Sequence, residues 1–546
     1  MKFKFVEPLK TTLELKAGDK AFAIPAGSLK RLSVKAWSHG FEAVVEWWVH
    51  CREGTDEDTL FAPFTASKPL TATLSVERRY GAKAEGRSDP EAKPLKLVGR
   101  VEAREVRERT FANVKDSPVM QRRYRIRLVD PASMLWRRHF PTGVWVDQSL
   151  KEVVLANTPQ GLDVAFQWKA AETKHPLHAL GLGADDDSGA SFMDFVHWVQ
   201  ARSNTGLFLD FATGRYTLAE AKPEAGEALV LARDDLHLVD LRYPEPRRDA
   251  LSVLNSYVDA GTPRKAVENA DAITGVLTER LITSTLEDVL TDRVTLETQR
   301  QKLEGPRVRV TFARYPRVAL VLNGLYSLGP DGSKGLATHG KQYRLHTLRL
   351  EARAVEDDAA NDPDGVFNIY ELSLRGTLEE AADKTFRRPA FRTPRWPFLG
   401  EGRVVSEEGK EEERTYQVRQ DSKTSVETYR VYLPLWDKEI RVPYEPHQQP
   451  GHFYFPADKE TRLLVSLGYQ DARMDRFLEW RPGARLPKES QGNHLLMGKT
   501  DQSETSIQHL YQDAKPLLRI QRTQEKDTQL IEVAEGRMYL RVEEKG

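Results

Sequence analysis

One cysteine, Cys51, stands among 546 residues. No internal disulfide can staple the fold, and a reducing folding compartment is the natural expectation. Cys51 lies beside His50 in a strand-like run, where neighbours point to opposite faces. A Cys–His nucleophile is therefore disfavoured, and a small half-buried side chain is the plain reading. No apolar run approaches the roughly 20 residues that a membrane span needs. The opening "MKFKFVEPLKTTLELK" lacks the apolar stretch of a signal peptide, so export would have to use another route. An excess of either charge is missing too: 81 Lys and Arg balance 81 Asp and Glu. That removes a chain-wide electrostatic grip on nucleic acid or anionic lipid. Both signs are interspersed, as on a well-solvated surface. The length suggests roughly three or four domains, each able to bury a core.

What is present is mostly β pattern. "LTATLSVE" (70–77) alternates Leu70, Ala72, Leu74 and Val76 with polar partners, the period of a half-buried strand. In "RRYRIRLVDP" (122–131), Tyr124, Ile126 and Leu128 share one face, and Arg123, Arg125 and Arg127 the other. "FEAVVEWWV" (41–49) and "LKLVGRVEA" (95–103) are similar. The period then changes. "SFMDFVHWVQARS" (191–203) places Phe192, Phe195, Val196 and Val199 on one helical face, with Ser191 and Asp194 spaced as a capping box. His197 falls off that face and reads as a surface or partly packed residue. "NTG" ends the helix, and the strands "LFLDF" and "RYTLAEA" follow. A second helix is expected over 283–303. Strands return at "RVRVTFA" (307–313), "RVALVLNGLYSLG" (317–329), "KQYRLHTLRLEARA" (341–354) and "VFNIYELSLRG" (366–376), with 355–365 as a mobile acidic loop. "FRRPAFRTPRWPF" (386–398) carries three prolines that forbid a helix or central strand, so it reads as a linker. Five short strands within about 400–470 suit a small Greek-key barrel of the OB type.

Chemistry is harder to find. No phosphate loop or dinucleotide fingerprint occurs in strand–loop–helix context, and there is no HExxH. His175 and His178 in "KHPLHALG" are split by Pro176 and lack a third ligand at diagnostic spacing, so a solvated loop outweighs zinc. Asp185, Asp186 and Asp187 lack the spaced ligands of a calcium loop. Many carboxylates could serve a glycosidase, but no particular pair stands out. "PYEPHQQPGHFYFPADKETRLLV" (443–465) holds His447 and His452 among four prolines. Its aromatic and basic residues fit single-strand binding by an OB barrel, but Asp437, Glu439, Glu445, Asp458 and Glu460 dilute the basic field. Pro443, Pro446, Pro450 and Gly451 instead read as a rigid joint, with Phe453 and Phe455 turned inward by alternation. Neither a catalytic residue, nor a cofactor, nor a metal site is expected.

The last 55 or so residues, with "LLRIQR", "QLIEVAEG" and "RMYLRVEE", form an alternating ribbon with no second apolar layer in sequence to cover it. Such a ribbon is marginally stable alone, and further copies of the chain are the simplest partners.

The order of parts resembles the hub-and-spike proteins of contractile injection machines: the VgrG tip protein of type VI secretion, contractile-phage hub–spike proteins and extracellular-particle spikes. The stretches that carry the resemblance are "RRYRIRLVDPASMLWRRHFPTGVWVDQSLKEVV" (122–154), "SFMDFVHWVQARSNTGLFLDFATGRYTLAEA" (191–221), "FRRPAFRTPRWPFLGEGRVVSEEG" (386–409), "GNHLLMGKTDQSETSIQHLYQ" (492–512) and "TQLIEVAEGRMYLRVEEKG" (528–546). It implies a mainly β fold with minor α: two tube-like β-barrel hub domains with a helix-containing insert, an OB-type barrel and a short intertwined β-prism. The implied divisions are 1–154 and 286–385 for the tube-like domains and 155–285 for the helical segment. The linker is then 386–399, the barrel 400–475, and the trimeric neck and start of the prism 476–546. The chain ends where a prism would begin, so a long needle is not expected, and neither is a C-terminal effector domain.

The resemblance further implies a non-enzymatic homotrimer that adapts a threefold spike to a hexameric inner-tube protein. It would meet baseplate wedge components, a PAAR-like tip protein and effector or adaptor cargo, and no nucleic acid. It would be made and assembled in the cytoplasm, then ejected on contraction. Leu518, Ile520, Ile531, Val533, Met538, Leu540 and Val542 would form the dry trimer core. Two other readings stay open: an enzyme acting on an extracellular polymer such as a carbohydrate, and an OB-fold nucleic-acid-binding protein.

Overall fold

The computed structural model describes residues 3–52, 58–79, 94–111, 119–184, 189–301, 305–329, 336–358, 364–405, 418–422, 426–444, 460–479, 493–499 and 502–544. The chain divides into two compact units. The first takes 1–141, 150–173 and 185–394; the second takes 142–149, 174–184 and 395–546. No helix among the described residues is long and apolar enough to cross a membrane.

In the first unit, eight antiparallel strands close on themselves. Around the ring they are Gln342–Ala354, Leu29–Trp37, Gly40–Arg52, Val119–Val129, Leu95–Phe111, Leu70–Arg78, Phe5–Ala17 and Asn368–Glu380, and the last pairs again with the first. Closure of this kind leaves no strand edge within the ring. The alternation seen in sequence sets the faces. Leu70, Ala72, Leu74 and Val76 are buried, as are Tyr124, Ile126 and Leu128. Trp47 stacks on Tyr124 with ring centroids 5.3 Å apart, and Phe64 meets Tyr124 edge-on at 4.8 Å. On the other face, Arg123 and Arg125 reach Glu46, and Arg127 reaches Glu42 and Glu102 at 2.7 and 2.9 Å. Cross-strand pairs of opposite charge hold register on a solvated face.

Three strands take a further partner outside the ring, and Phe5–Ala17 does so through 13–17, which pair with Lys20–Ile24. Asn368–Glu380 pairs with Phe5–Ala17 through 368–372 and with Arg307–Phe312 through 375–379. Beyond Arg307–Phe312 lies Leu236–Arg242. Gln342–Ala354 also takes up Leu325–Leu328, which in turn pairs with Leu229–Leu231. The long strand expected over 317–329 is reduced to Leu325–Leu328. Asn323 adopts φ of 66° ahead of Gly324, and the Tyr326 hydroxyl ties back to Val321 N and Ala319 O, so the chain turns where alternation alone suggested extension.

The helix Phe192–Ser203 carries the expected capping box, with Ser191 and Asp194 bonded reciprocally. The second helix is Glu287–Arg300, and its Leu290 packs with Leu251, Val253 and Val267 of a small three-stranded sheet. Asp130 joins the ring to the helical segment. It accepts from Phe41 N at 3.1 Å, Ser133 N at 2.9 Å and the Tyr216 hydroxyl at 2.5 Å. Gly40 keeps that junction tight, because a Cβ there would sit 2.5 Å from Asp130 Oδ2.

The second unit holds the small barrel and the ribbon. The barrel strands Phe398–Val404, Glu427–Leu433, Lys438–Pro443 and Arg462–Leu467 match the sequence pattern, and Ala472–Glu479 adds to Arg462–Leu467. Of the strand expected over "RTYQVRQD", the described part is Arg419–Gln420. A hairpin from far upstream joins the barrel: Thr142–Ser149 pairs with Lys174–Gly181, and Val144, Leu177 and Ala179 share one buried cluster with Phe398, Val431, Leu433 and Leu467. Trp396 Nε1 donates to Ala179 O at 2.9 Å, and Ala179 N donates to Tyr469 O at 2.9 Å. "KHPLHALG" is therefore a strand and not a solvated loop. The reason is tertiary: its apolar positions are covered by a barrel more than 200 residues away in sequence.

Candidate functional site

The C-terminal ribbon is a five-stranded antiparallel meander: Asn493–Lys499, Ser503–Gln512, Lys515–Gln524, Asp527–Ala534 and Arg537–Glu543. Its turns are tight. Asp513 and Ala514 take φ of 52° and 61°, Glu525 takes 51°, and Gly536 takes 72°. The Asp513–Ala514 turn, with both residues left-handed, matches the twist of the strands it joins.

Register then decides what shares a face. Leu495, Ile507, Ile520, Ile531 and Leu540 are successive cross-strand partners, an apolar row running across all five strands. Beside it runs a second row, His509, Leu518, Val533 and Met538. Val542 pairs with Gln529 in a third, more polar row. The seven core candidates thus lie on one face. In the single chain that face is open: Ile520 and Ile531 are each 38% exposed, and Val542 is 77% exposed. The opposite face carries ions, with Arg519 Nη2 2.6 Å from Glu532 Oε1. Leu495 and Ile507 complete the central row and were not among the sequence candidates. Their alternation in "GNHLLMGKTDQSETSIQHLYQ" was present but diluted by polar neighbours. In the barrel, Pro443 ends the strand Lys438–Pro443, whereas Pro446, Pro450, Gly451, Phe453 and Phe455 lie outside the described residues.

The histidines fall differently from expectation. His197 is only 3% exposed, not at the surface. Met193, His197 and Gln200 form a second buried side of a helix whose Phe and Val side was already recognised. Its ring lies 5.7 Å from that of His39, edge to face. His178 is fully buried. Burial holds both His197 and His178 at about 4, and holds His346 at about 3 with help from the nearby Arg387 and Lys222. Around His346 and His197 runs a buried ionic network: Lys222 Nζ to Glu379 Oε1 at 2.7 Å, Arg387 Nε to Glu379 Oε2 at 3.2 Å, and Arg387 Nη2 to Asp383 Oδ2 at 3.6 Å. Among the described residues, no group of three or more His, Cys, Asp or Glu is arranged to hold a metal ion.

These imidazoles make a stability prediction. In the folded chain they resist protonation, whereas unfolded they protonate near 6.5. The fold therefore keeps full stability above about pH 6.5 and loses it as pH falls from 6.5 towards 4, on the order of 3 kcal/mol for His197 alone. Urea midpoints measured from pH 7 to pH 4 should fall steadily, with a shallower slope in His197→Gln. An identical slope in that variant would contradict the assignment.

A closed β ring with doubly used strands, a small barrel and a terminal meander make up a modular, mainly β fold. It is the fold of chains in the PdpA–VgrG complex. Against the half-lidded Francisella complex the TM-score is 0.72 at 12% identity, covering 99% of this chain and 89% of that one. Against the lidless complex it is 0.71 at 11% identity, covering 99% of both chains. An E. coli protein described as a type VI secretion component similar to the T4 tail proteins gp27 and gp5 aligns more weakly, with a TM-score of 0.45 at 12% identity over 87% of this chain and 98% of that one. No protein-family model matches the sequence, and no curated protein does.

Proposed function

We propose that this chain is the structural hub and spike of a contractile injection machine and works as a homotrimer. The observation that carries the reading is the apolar row Leu495–Ile507–Ile520–Ile531–Leu540, open along one face of a single-chain ribbon. Each half-exposed side chain on that face gains on the order of 1 kcal/mol when covered. Three copies meeting through it give a closed arrangement with a dry axis. Leu518, Ile520, Ile531, Val533, Met538, Leu540 and Val542 line that axis in this reading. The fold shared with chains of the PdpA–VgrG complex supports it.

On this basis the barrel clusters about the threefold axis and the ribbon forms its neck. The hub adapts threefold symmetry to a hexameric inner-tube protein and contacts baseplate wedge components. A PAAR-like protein sharpens the tip, and effector or adaptor cargo rides with it. Assembly takes place in the cytoplasm, and contraction ejects the spike through the target membrane. The role is mechanical rather than catalytic. Light scattering of the purified protein should give three chains per particle, and electron microscopy should show threefold density tapering to a point. A stable single chain whose residues 480–546 can be cleaved off without consequence would overturn the proposal.

A further inference from the structure

The first unit has a half-open cavity of about 10 Å³, roughly the space of one water molecule. Its lining comes from segments far apart in sequence. His39 sits in the turn after Leu29–Trp37, His197 and Gln200 on the helix Phe192–Ser203, and His346 at the register shift in Gln342–Ala354. Lys222, Glu379, Arg387 and Arg388 complete the charged part.

Two features mark the spot as more than packing. First, unmatched donors outnumber unmatched acceptors, although Glu379 Oε2 is also buried there without a hydrogen bond among the described residues. Gln200, 1% exposed, has Nε2 buried with no hydrogen-bond partner among the described residues, and Arg387 Nη2 is likewise without a well-aligned acceptor. Buried donors are rarely left this way. Second, the charges do not cancel. Lys222 and Arg387 pair with Glu379, Arg387 also reaches towards Asp383, and Arg388 lines the same pocket. Among the described residues, the hydrogen bonds of Arg388 go to a neutral acceptor, Thr205 O, from Nε at 3.2 Å and Nη2 at 2.9 Å, and its guanidinium lies 5.8 Å from the Phe386 ring centre. The three imidazoles report the same field. Each is held below 6.5 first by burial; His197, His346 and then Arg137 add to this at His39, Arg137 and Arg388 add at His197 against the opposing Gln200 and Asp194, and Arg387, Lys222 and Arg307 add at His346 against Asp383. A neutral water would accept from the orphaned donors but leave the surplus positive charge uncompensated. An anion answers both.

We propose that this cavity binds a single small monovalent anion, with chloride as the physiological candidate, held by Gln200, Arg387 and the histidine N–H groups. Bound there, it ties the ring strand Gln342–Ala354 and the turn at His39 to the helix Phe192–Ser203. Binding and protonation are then coupled. The carboxylates facing the imidazoles are Glu379, Asp383 and Asp194; the cations are Arg137, Lys222, Arg307, Arg387 and Arg388. Protonating His197 or His346 adds positive charge, so anion affinity rises only as pH falls towards 4.

The test uses the full chain at constant ionic strength, with sodium chloride exchanged for sodium gluconate, an anion too large for the cavity. The thermal midpoint should rise with chloride as binding to the folded state requires. Coincident chloride and gluconate curves would overturn the proposal. Gln200→Leu should flatten the chloride dependence. In case that variant does not fold, bromide-soaked crystals of the unaltered protein decide independently. An anomalous peak within hydrogen-bond distance of Gln200 Nε2 supports the site, and water alone at that position refutes it.

Discussion

Ile520→Asp is expected to convert the assembled protein to single chains. Ile520 sits at the centre of the apolar row, flanked by Ile507 and Ile531 on adjoining strands. A carboxylate there would be brought into a dry interface three times over, each copy costing several kcal/mol without a partner. That is enough to abolish assembly at micromolar concentration. In the isolated chain the same position is 38% exposed, so the substitution is tolerable in the folded monomer. Lys526→Gln, at an exposed turn of the same ribbon, serves as control and should leave the particle mass unchanged. Light scattering beside far-UV circular dichroism separates lost assembly from lost folding. A variant that still runs as three chains would show that this face is not the interface.

The second large effect belongs to Asp130. Its carboxylate accepts from a ring-strand amide, a helix amide and a buried tyrosine hydroxyl, and it is 1% exposed. Asp130→Ala removes all three bonds and strands their donors in the interior, so a loss of about 3–5 kcal/mol is expected. Asp130→Asn keeps the shape and one acceptor oxygen and should cost about 1–2 kcal/mol. Tyr216→Phe removes a single donor and should fall near the smaller value. Urea midpoints of the three variants give the order directly. A shift within about 0.5 kcal/mol for the alanine variant, the range of ordinary surface changes, would mean that the junction contributes nothing to holding the ring and helical segment together.

How legible was this in the sequence? Local periodicity carried the ring strands well, because each has one face in the core and one in solvent. Tyr124, Ile126 and Leu128 against Arg123, Arg125 and Arg127 is the clearest case. The helix Phe192–Ser203 was readable from its cap and one apolar side. What local pattern cannot carry is partnership. "KHPLHALG" looked like a loop because its cover, the barrel strands from Phe398 onward, is remote in sequence. His197 read as a surface or partly packed residue because a second buried side made of Met, His and Gln has no apolar signature. The cavity residues come from scattered segments, and only His346 leaves a trace: Leu345 and Leu348 are both buried although three apart, which breaks the two-residue period at the bulge. The ribbon's seven candidates were readable by alternation. Leu495 and Ile507 needed the register.

The ring also sets a timetable for synthesis. Its closing bonds join segments from opposite ends of the first unit, such as the Thr11 and Tyr370 hydroxyls, 3.2 Å apart in space and 359 positions apart in sequence. At about 5–20 residues per second on the ribosome, the first strand waits roughly 20–70 s for its last neighbour to be made. Through that interval Phe5–Ala17 and Leu29–Trp37 each present an unpaired edge beside copies emerging from neighbouring ribosomes. Contacts so distant along the chain also form slowly once both strands exist. The nascent protein is therefore a natural client for a chaperone that shields strand edges, and brisk overexpression works against its recovery in native form.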